Sequence, residues 1–436
     1  MIKRSFFGSP TPRIQYLPIP GNVTAPAALK QPESVTLLVP CPAADVDDRL
    51  AKKGDLVKTG QKISLSSAPG AYGIASLSGT LSSIDRFPGE AGREYTALTI
   101  TASGVETLDD AFESQCEPTL EIATHFLACL PGAPSFEAFT NAEKPIHTII
   151  VSGMDEDLLV MSAQYTLSYR LQDIQAGIKI LKTITGVENI VLATSQDALH
   201  GYGNIGASVA AMDASYPSGL PRLIVQNVMG QEIPTDQTFQ DLGVCFFTAE
   251  AVASIGRAFA EKQLPLEKTI TLIDKQGNRS LVSARIGTAI ADILRDHRIN
   301  LEEKDRIIVG GPMTGHSIFS AHYPVQPSTD AILLQDREDI SLTSDYPCIN
   351  CGDCVRMCPA RIQVNLLVRF LEAEFYEEAA ESYDLYSCLE CGLCSYVCVS
   401  KIPIFQYIRL AKHELNRIAM EEMATEETAI EETTDE

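Results

Sequence analysis

The chain has 436 residues, of which 45% are hydrophobic and 21% charged, so it can form several buried cores and is neither disordered nor fibrous. Its formal net charge of −23 argues against nucleic acid as a partner, because a nucleic-acid backbone repels an acidic surface. No window approaches the roughly 18 consecutive apolar residues of a membrane-spanning helix, and the N-terminus lacks the apolar run of a secretory signal. We therefore expect a protein that is soluble in the cytoplasm or attached to a membrane only through another protein.

The first part of the chain is predicted to be an arm followed by a small β domain. Residues 1–35 are Pro-rich and predict an extended arm, and residues 36–120 contain short apolar segments punctuated by glycine. The pairing of GDLVKTGQKI with SGTLSSI is typical of the half-barrel, or barrel-sandwich, domains that carry biotin or lipoyl groups. A carrier needs a lysine at its hairpin tip, and residues 68–83 contain none. We therefore predict a structural domain.

Residues 121–262 alternate between strand and helix patterns. HTIIVSG and ENIVLAT are typical of buried strands, residues 160–185 are helical up to Gly186, and CFFTAEAVASIGRAFAE begins as a strand and becomes a helix. We interpret PRLIVQNV as a further strand because it is apolar. The alternation predicts a Rossmann-like α/β layer with a mostly parallel sheet.

One segment of this layer, GYGNIG at 201–206, matches the dinucleotide-binding pattern G-x-G-x-x-G. A dinucleotide turn must leave a strand directly and open a helix. This segment begins well after ENIVLAT ends and leads into a short strand. We predict a flexible loop there.

The last third of the chain contains three segments of different character. Residues 263–340 predict a small α+β unit, with strands at TITLID and SLVSARI and a helix at GTAIADILRDH. The cysteine-rich region, 341–412, follows. An acidic tail, 413–436, ends the chain, and its residues 418–436 have eight acids and no Lys or Arg, which predicts a solvated, disordered end. Electrostatic contact with a basic partner is the alternative for this tail.

Eight of the twelve cysteines fall in two runs of the same spacing, C-x-x-C-x-x-C-x-x-x-C. Thiolates are soft ligands, and three at this spacing can bind one face of an iron–sulfur cubane while a fourth comes from elsewhere. In two-cluster ferredoxins the fourth cysteine of each run binds the other cluster. We therefore assign one [4Fe–4S] cluster to Cys348, Cys351, Cys354 and Cys398, and a second to Cys388, Cys391, Cys394 and Cys358.

The alternative for these runs is a pair of structural zinc sites, which typically use two C-x-x-C pairs and no third cysteine at the same spacing. Proline follows Cys358, whereas Val399 follows Cys398; proline is not a ligand, so we expect both sites to hold clusters. The seven histidines have no metal-ligand spacing, and we assign no catalytic residue. The remaining cysteines are scattered and are expected to be small buried hydrophobes: Cys41, Cys116, Cys129 and Cys245.

Four segments point to one family: PTPRIQYLPIPG, GGPMTG at 310–315, CINCGDCVRMCPARI, and CSYVCVSKIPIFQYIRLAK at 394–412. With them the chain resembles, over nearly its whole length, the C subunit of Rnf-type membrane electron-transport complexes. The resemblance implies a multidomain α/β and α+β fold, with a β-grasp-like domain at 263–340 and a two-cluster, ferredoxin-like helical domain at 341–412. It also implies partner subunits in a membrane complex, and electron transfer between a nicotinamide, FMN and the clusters.

The chain departs from this family at the nucleotide site. The family has a glycine-rich loop, roughly G-x-G-G-A-G-F-P-T followed by a lysine, whose backbone amides approach phosphates closely. The matching stretch, LACLPGAPSFEAFTNAEKP, keeps only Gly132, contains two prolines without amide donors, and places Glu137 where a phosphate would lie. GMDEDLLV and YPSGLP also differ from the family's acidic Pro-Tyr turn and its Y-P-x-G-G-E segment. Gly132 and Glu137 are the candidate residues of this degenerate loop, and we expect that it binds neither FMN nor NADH.

The sequence thus favours a peripheral subunit on the cytoplasmic side of the cell membrane. Its two [4Fe–4S] clusters would relay electrons between membrane subunits and a soluble carrier (ferredoxin, NAD(H) or another redox protein) in a complex that forms an ion gradient. As a component of a translocating oxidoreductase, the isolated chain is not expected to oxidise NADH. Two alternatives stay open: an FMN-containing NADH dehydrogenase subunit with a divergent site, and a soluble iron–sulfur reductase of a cobalamin-like cofactor.

Overall fold

The computed structural model describes residues 14–434 except residues 22, 24, 48, 69, 90–93, 197–203, 342, 344 and 345, and it describes side chains as far as residue 421. The chain divides into two compact units, one formed by Ile14–Asp339 and the other containing Ile340–Glu436. Residues 1–13, 22 and 24 of the predicted arm, and residues 201–203 of GYGNIG, lie outside the described residues.

The first unit begins with an antiparallel half-barrel. Its strands, after the short β1 (Ala27–Ala28), are β2 (Ser34–Val39), β3 (Leu56–Val57), β4 (Lys62–Ser64), β5 (Tyr72–Ile74), β6 (Gly79–Pro88) and β7 (Glu94–Ala102). Strands β2, β7, β6 and β3 form one sheet in that order, and β4 pairs with β5. Alternate residues of β2 point inward, as the period of a half-buried strand requires, and Leu37 lies opposite Leu98 of β7. The predicted β domain is therefore present as a half-barrel sheet.

A parallel α/β layer follows in the same unit. Its elements are α1 (Ala111–Ser114), α2 (Leu120–Phe126), β8 (Thr148–Ser152), α3 (Ser162–Tyr169), α4 (Leu171–Thr185), β9 (Ile190–Ser195), β10 (Ser208–Met212), α5 (Pro221–Met229), β11 (Val244–Thr248) and α6 (Ala249–Glu261). The strands pair in parallel in the order β10-β9-β8-β11. Every residue of β8 is buried, as expected for a parallel strand covered on both faces. Gly186 ends α4 in the left-handed conformation, as predicted.

The interpretation of PRLIVQNV as a strand was wrong, because these residues belong to α5. Pro221 occupies the first turn, where its missing N–H costs nothing, and Gly230 ends the helix at a φ of 69°. The apolar side chains Ile224 and Val225 are buried on one face of the helix. Start and stop signals at the two ends thus outweigh the apolar composition that suggested a strand.

A six-stranded sheet completes the first unit. Its elements are β12 (Glu267–Ile273), β13 (Arg279–Arg285), α7 (Ile290–Asp296), β14 (Arg306–Val309), β15 (His316–Ile318) and β16 (Ala331–Gln335), with strand order β1-β13-β12-β16-β14-β15. The predicted strands at TITLID and SLVSARI and the predicted helix correspond to β12, β13 and α7.

A buried lysine connects this sheet to the α/β layer. Lys268 on β12 is fully buried, and its ammonium pairs with Glu250 in the first turn of α6 and, at 2.6 Å, with Asp330 beside β16. Burial alone would lower the pKa of Lys268, but the two carboxylates outweigh burial and hold that pKa above its usual range. Because an unpaired charge in the interior is costly, this triad fixes how the two layers meet.

The second unit is helical. It contains α8 (Asp353–Met357), α9 (Val364–Glu372), α10 (Tyr376–Ser382), α11 (Leu393–Tyr396) and α12 (Ile404–Thr434). The expectation of a disordered end at 418–436 differs from this result, since α12 continues to Thr434. Glu and Ala are good helix formers, and Arg417 pairs with Glu414 and Glu421 at helical spacing. In the described part of the chain, no helix is both long and apolar enough to cross a membrane.

Two glycines let α4 and α6 approach closely. A Cβ on Gly177 would overlap the carbonyl oxygen of Val252, and a Cβ on Gly256 would lie 2.7 Å from the nitrogen of Gly177. The backbone of one helix therefore lies directly against the backbone of the other. This contact holds two helices of the α/β layer together.

Gly177→Ala tests this contact. In an exposed helix the change would stabilise by about 1 kcal/mol, but here the added methyl must push the helices apart, and we expect a loss of about 3 kcal/mol in the free energy of unfolding. Chemical denaturation measures the loss. Gln172→Ala on the exposed face of α4 is the control, and it should change stability by less than about 0.5 kcal/mol. A neutral or stabilising Gly177→Ala would contradict the close approach.

Candidate metal centre

The cysteine region consists of two halves related by a shift of 40 positions, from Cys348 to Cys388. In each half a residue in the left-handed conformation, Asn350 or Glu390, lies between the first two cysteines. A short helix, α8 or α11, then carries the third cysteine, and the fourth follows the end of that helix. Helices α9 and α12 begin at equivalent positions after the two runs. The repeated sequence therefore folds into two similar halves.

The first cavity brings four cysteines together. It is lined by Cys348, Cys351, Cys354 and Cys398. Three of these thiols come from the first run and the fourth comes from the second. The rest of the wall is largely apolar, with Val368 of α9 and Ile402 among its buried side chains.

The second cavity has the reciprocal composition. It is lined by Cys358, Cys388, Cys391 and Cys394, with Leu367 of α9 and Ile408 of α12 behind them. Each predicted set of four cysteines therefore lies around one cavity, and the crossed arrangement is the one that the spacing predicts. Ligation of a cluster by these thiols stays a prediction.

A lysine on α12 binds the turn that carries the first cysteine of the second run. Lys412 Nζ donates to the carbonyl oxygen of Cys388 at 3.0 Å and to Glu390 Oε1 at 2.8 Å. This contact attaches α12 to the turn that carries the first thiol of the run. Sequence reasoning missed Lys412, because only the packing of Ile404, Ile408 and Ala411 shows which face of α12 meets the cavity.

The donors and their surroundings suit iron–sulfur chemistry. Burial raises the pKa of Cys391 to about 12 and that of Cys354 to about 11, so both thiols are protonated at neutral pH until a soft metal displaces the proton. In a [4Fe–4S] cluster each thiolate binds a different iron, so four thiols must surround a space. Two such quartets would hold clusters that supply one-electron transfer.

The degenerate loop packs against protein. Gly132, at a φ of 86°, donates its amide to the carbonyl oxygen of Pro327 at 2.8 Å, and Ala133 donates to Leu130 at 2.9 Å. A Cβ on Gly132 would lie 2.7 Å from Thr248 Oγ1 at the start of α6. The glycine is therefore explained by close packing on that helix. Glu137 lies exposed in a short 3₁₀ turn that follows this packed segment.

The acidic turn GMDEDLLV is also bonded to protein. Asp155 accepts from the amide of Ala163 and from Gln164 Nε2, each at 2.8 Å. Asp157 accepts from the amide of Thr314 at 2.8 Å and from its hydroxyl at 2.9 Å, which attaches the turn to GGPMTG. Glu156 lines the cleft between GMDEDLLV and GGPMTG.

In YPSGLP, the third segment that differs from the family, an amide bonds to the N-terminal arm. Gly219 donates its amide to Tyr16 Oη at 2.9 Å, and a Cβ on Gly219 would lie 2.7 Å from the same oxygen. The rings of Tyr16 and Tyr216 meet edge to face at 5.6 Å. Sequence reasoning missed Tyr16, because no local signal shows that the arm returns to a segment about 200 residues later.

A protein-family comparison concerns the cysteine region. A family model described as a 4Fe-4S dicluster domain matches residues 347–402, which include all eight cysteines of the two cavities. The chain therefore has a C-terminal 4Fe–4S ferredoxin-like domain. The number of clusters it binds stays a prediction.

Relatives match most of the chain. The C subunit of an ion-translocating oxidoreductase complex from Pseudomonas aeruginosa is 27% identical over 83% of this chain and 50% of the relative. The C subunit of the proton-translocating ferredoxin:NAD(+) oxidoreductase complex from Clostridium ljungdahlii is 27% identical over 94% of this chain and 91% of the relative. The chain is a homologue of these C subunits. The corresponding protein of the Na(+)-translocating complex from Acetobacterium woodii is 24% identical over 80% of this chain and 84% of the relative.

The resemblance inferred from the sequence is thus confirmed. The chain spans about half the length of the relatives from Pseudomonas aeruginosa and Haemophilus influenzae. Among solved structures, a chain of an NAD+-reducing [NiFe]-hydrogenase in the H2-reduced state has a TM-score of 0.46 and 12% identity, covering 69% of this chain and 64% of that one. A likeness of this degree does not establish a shared fold.

Crossed ligation predicts which substitutions act together. Cys358→Ala should remove the same cluster signal as Cys391→Ala, although Cys358 belongs to the other run, because both thiols line the second cavity. Cys398→Ala and Cys351→Ala should remove the other signal. EPR of the reduced variants, with iron content, measures this. Cys116→Ala, outside both cavities, is the control. If Cys358→Ala and Cys351→Ala remove the same signal, the ligands are not crossed.

The raised pKa of Glu156 predicts that the stability of the chain depends on pH. Glu156 is exposed at the cleft, but partial desolvation by the cleft walls, then the neighbouring carboxylates of Asp330 and Asp157, raise its pKa from 4.5 to about 7. A raised carboxyl pKa favours the folded state at low pH, and that contribution is lost as pH rises from about 4.5 to 7. Because the side chain remains solvent accessible, we expect Glu156→Gln to stabilise by only about 1 kcal/mol at pH 8, and not at pH 4.5.

Thermal unfolding at the two pH values measures this difference. Glu143→Gln, at an exposed position, is the control and should change stability by less than about 0.5 kcal/mol at either pH. Equal effects of Glu156→Gln at pH 4.5 and pH 8 would show that the carboxyl group is not perturbed.

Proposed function

We propose that the chain is a peripheral electron-transfer subunit of an Rnf-like ion-translocating complex. In this function, two [4Fe–4S] clusters relay electrons between membrane subunits and a soluble carrier. The observation that carries the proposal is the pair of four-cysteine cavities in one small helical unit, each completed by a thiol from the other run. Two adjacent one-electron centres suit a relay, because an electron can enter at one and leave from the other.

The proposed partners are inferred from the names of the relatives. These relatives are the C subunits of multisubunit complexes, so other subunits of such a complex are the expected membrane partners. We place the chain as a peripheral subunit on the cytoplasmic side. The carrier is ferredoxin, NAD(H) or another redox protein, and the direction of flow and coupling ion depend on the assembled complex.

The first unit is proposed to be a scaffold for the cluster-binding unit and its partners. We interpret its α/β layer (121–262) as Rossmann-like and its six-stranded sheet (263–340) as β-grasp-like, after the half-barrel domain (36–120). In the segments where the family binds a nucleotide, the amides of Gly132 and Gly219 donate to protein oxygens. Phosphate binding needs several free amides at close range. We therefore propose that this chain holds neither FMN nor NADH.

The second candidate function is an FMN-containing NADH dehydrogenase subunit. It is favoured by the NADH-related names of two relatives, which belong to ferredoxin:NAD(+) oxidoreductase complexes. It requires that the loop at Gly132 exchange its bonds to Pro327 for bonds to a phosphate.

Titration of NADH and FMN distinguishes these functions. We expect the cluster-loaded chain to bind neither ligand below about 1 mM and to show no NADH-dependent reduction, whereas a chemical reductant reduces it fully. Glu137→Gln should not create binding, because the loop amides are already bonded and Glu137 is exposed. Calorimetry and absorbance near 420 nm, a region of iron–sulfur absorption (about 400–420 nm), record these outcomes. Micromolar binding of either ligand would establish the dehydrogenase instead.

A further inference from the structure

The two cysteine cavities differ in how they meet solvent, although their halves are related by sequence. Cys351 of the first cavity is exposed, whereas Cys391, its counterpart in the second, is only 8% exposed. Ile349, between the first two cysteines of its run, is 66% exposed and lines the first cavity; its counterpart Leu389 is half-buried. The first cavity therefore has the more exposed cysteine and the more exposed apolar neighbour at these two equivalent positions.

Apolar side chains surround the mouth of this cavity. Val399, which replaces the proline of the other run, is 61% exposed and lines the same cavity as Ile349. Isolated apolar side chains are common on surfaces, but two at the mouth of one cavity form a patch. We call Ile349, Cys351 and Val399 the mouth patch.

The described charged residues named next to the mouth patch, Arg356, Asp353 and Lys401, carry a net charge of +1, whereas the unit as a whole is acidic. Residues 340–436 contain 18 acidic and 7 basic residues. Two of the basic residues flank the patch: Arg356 donates to the carbonyl oxygen of Cys351 at 3.3 Å, and Lys401 lies between the lining residues Ser400 and Ile402. Asp353 is paired with Arg356. A small acidic partner would be attracted here and repelled by the rest of the unit.

We propose that the mouth patch is the docking surface for a small acidic protein that carries its own one-electron cofactor. This proposal rests on the relay function and adds the place where the soluble carrier binds. An anionic membrane, or a second copy of this chain with its net charge of −23, would meet the acidic residues of the unit over a larger contact than a small partner makes and would be repelled by them. In each encounter one electron passes between the partner's cofactor and the chain, so that one is oxidised as the other is reduced, and no bond is made or broken. Contacts of this kind are small, below about 1,200 Å².

The test uses the full, cluster-loaded chain in anaerobic stopped flow. The probe is a reduced, acidic [2Fe–2S] ferredoxin, and photoreduced deazaflavin, which needs no docking surface, is the reference reductant. We expect the ferredoxin rate constant to fall as ionic strength rises, and to fall about tenfold in Lys401→Glu and in Val399→Glu. The deazaflavin rate of Lys401→Glu should match that of the unchanged chain.

Matched controls lie on α12. Arg417→Glu makes the same charge change in the same unit, and Met420→Glu puts an acid at another exposed apolar position; both should leave the ferredoxin rate within about twofold. Iron content shows whether each variant keeps its clusters. If Val399→Glu loses iron, its slower rate cannot be assigned to docking. The ferredoxin rate of Lys401→Glu then tests the proposal, because Lys401 is not among the residues that line the cavity.

Three outcomes would overturn the proposal. One is a ferredoxin rate within twofold of the unchanged chain in Lys401→Glu. The second is that the unchanged chain binds phosphatidylglycerol vesicles and that Val399→Glu abolishes this binding. The third is that the unchanged chain forms a dimer and that Val399→Glu abolishes the dimer. Either result would assign the patch to another occupant. If deazaflavin does not reduce the unchanged chain, the relay function itself is rejected. The experiment therefore distinguishes failure of the docking proposal from failure of the relay function.

Discussion

The arrangement of the C-terminal unit depends on one constraint: each set of four thiols takes its fourth member from the other run. Neither cavity is complete until both halves have folded against each other. The unit's core reflects this, since equivalent residues of the two halves, Ile362 and Ile402, are buried in one cluster with Leu367 of α9. Because metal binding to such a site is coupled to folding, cluster loading and packing of the two halves should stabilise each other.

The first unit contains two glycines at which close packing excludes a side chain. Gly132 and Gly219 remain glycine because backbone or side-chain atoms lie where a Cβ would go, and their amides donate to protein oxygens. Asp157 is likewise bonded to the GGPMTG loop. These contacts join the α/β layer to the N-terminal arm and to the GGPMTG loop of the six-stranded sheet. The Lys268 triad adds a second, charged connection between the α/β layer and the six-stranded sheet.

Much of this could be predicted from the sequence where the signal is local. The cysteine spacing indicated the grouping of the eight thiols, and glycine punctuation indicated the half-barrel strands. The strand assigned to PRLIVQNV was wrong because composition was weighed above the Pro221 and Gly230 end signals. The contacts of Tyr16 and Lys412 could not be predicted, since each depends on tertiary packing between segments far apart in the chain.

The central claim is that the two quartets of thiols bind two iron–sulfur clusters. The most direct measurement is the iron, acid-labile sulfide and zinc content of the anaerobically purified chain, with EPR after reduction. We predict about eight iron and eight sulfide per chain and a spectrum of two interacting clusters. About four iron per chain, or stoichiometric zinc without sulfide, would contradict the account.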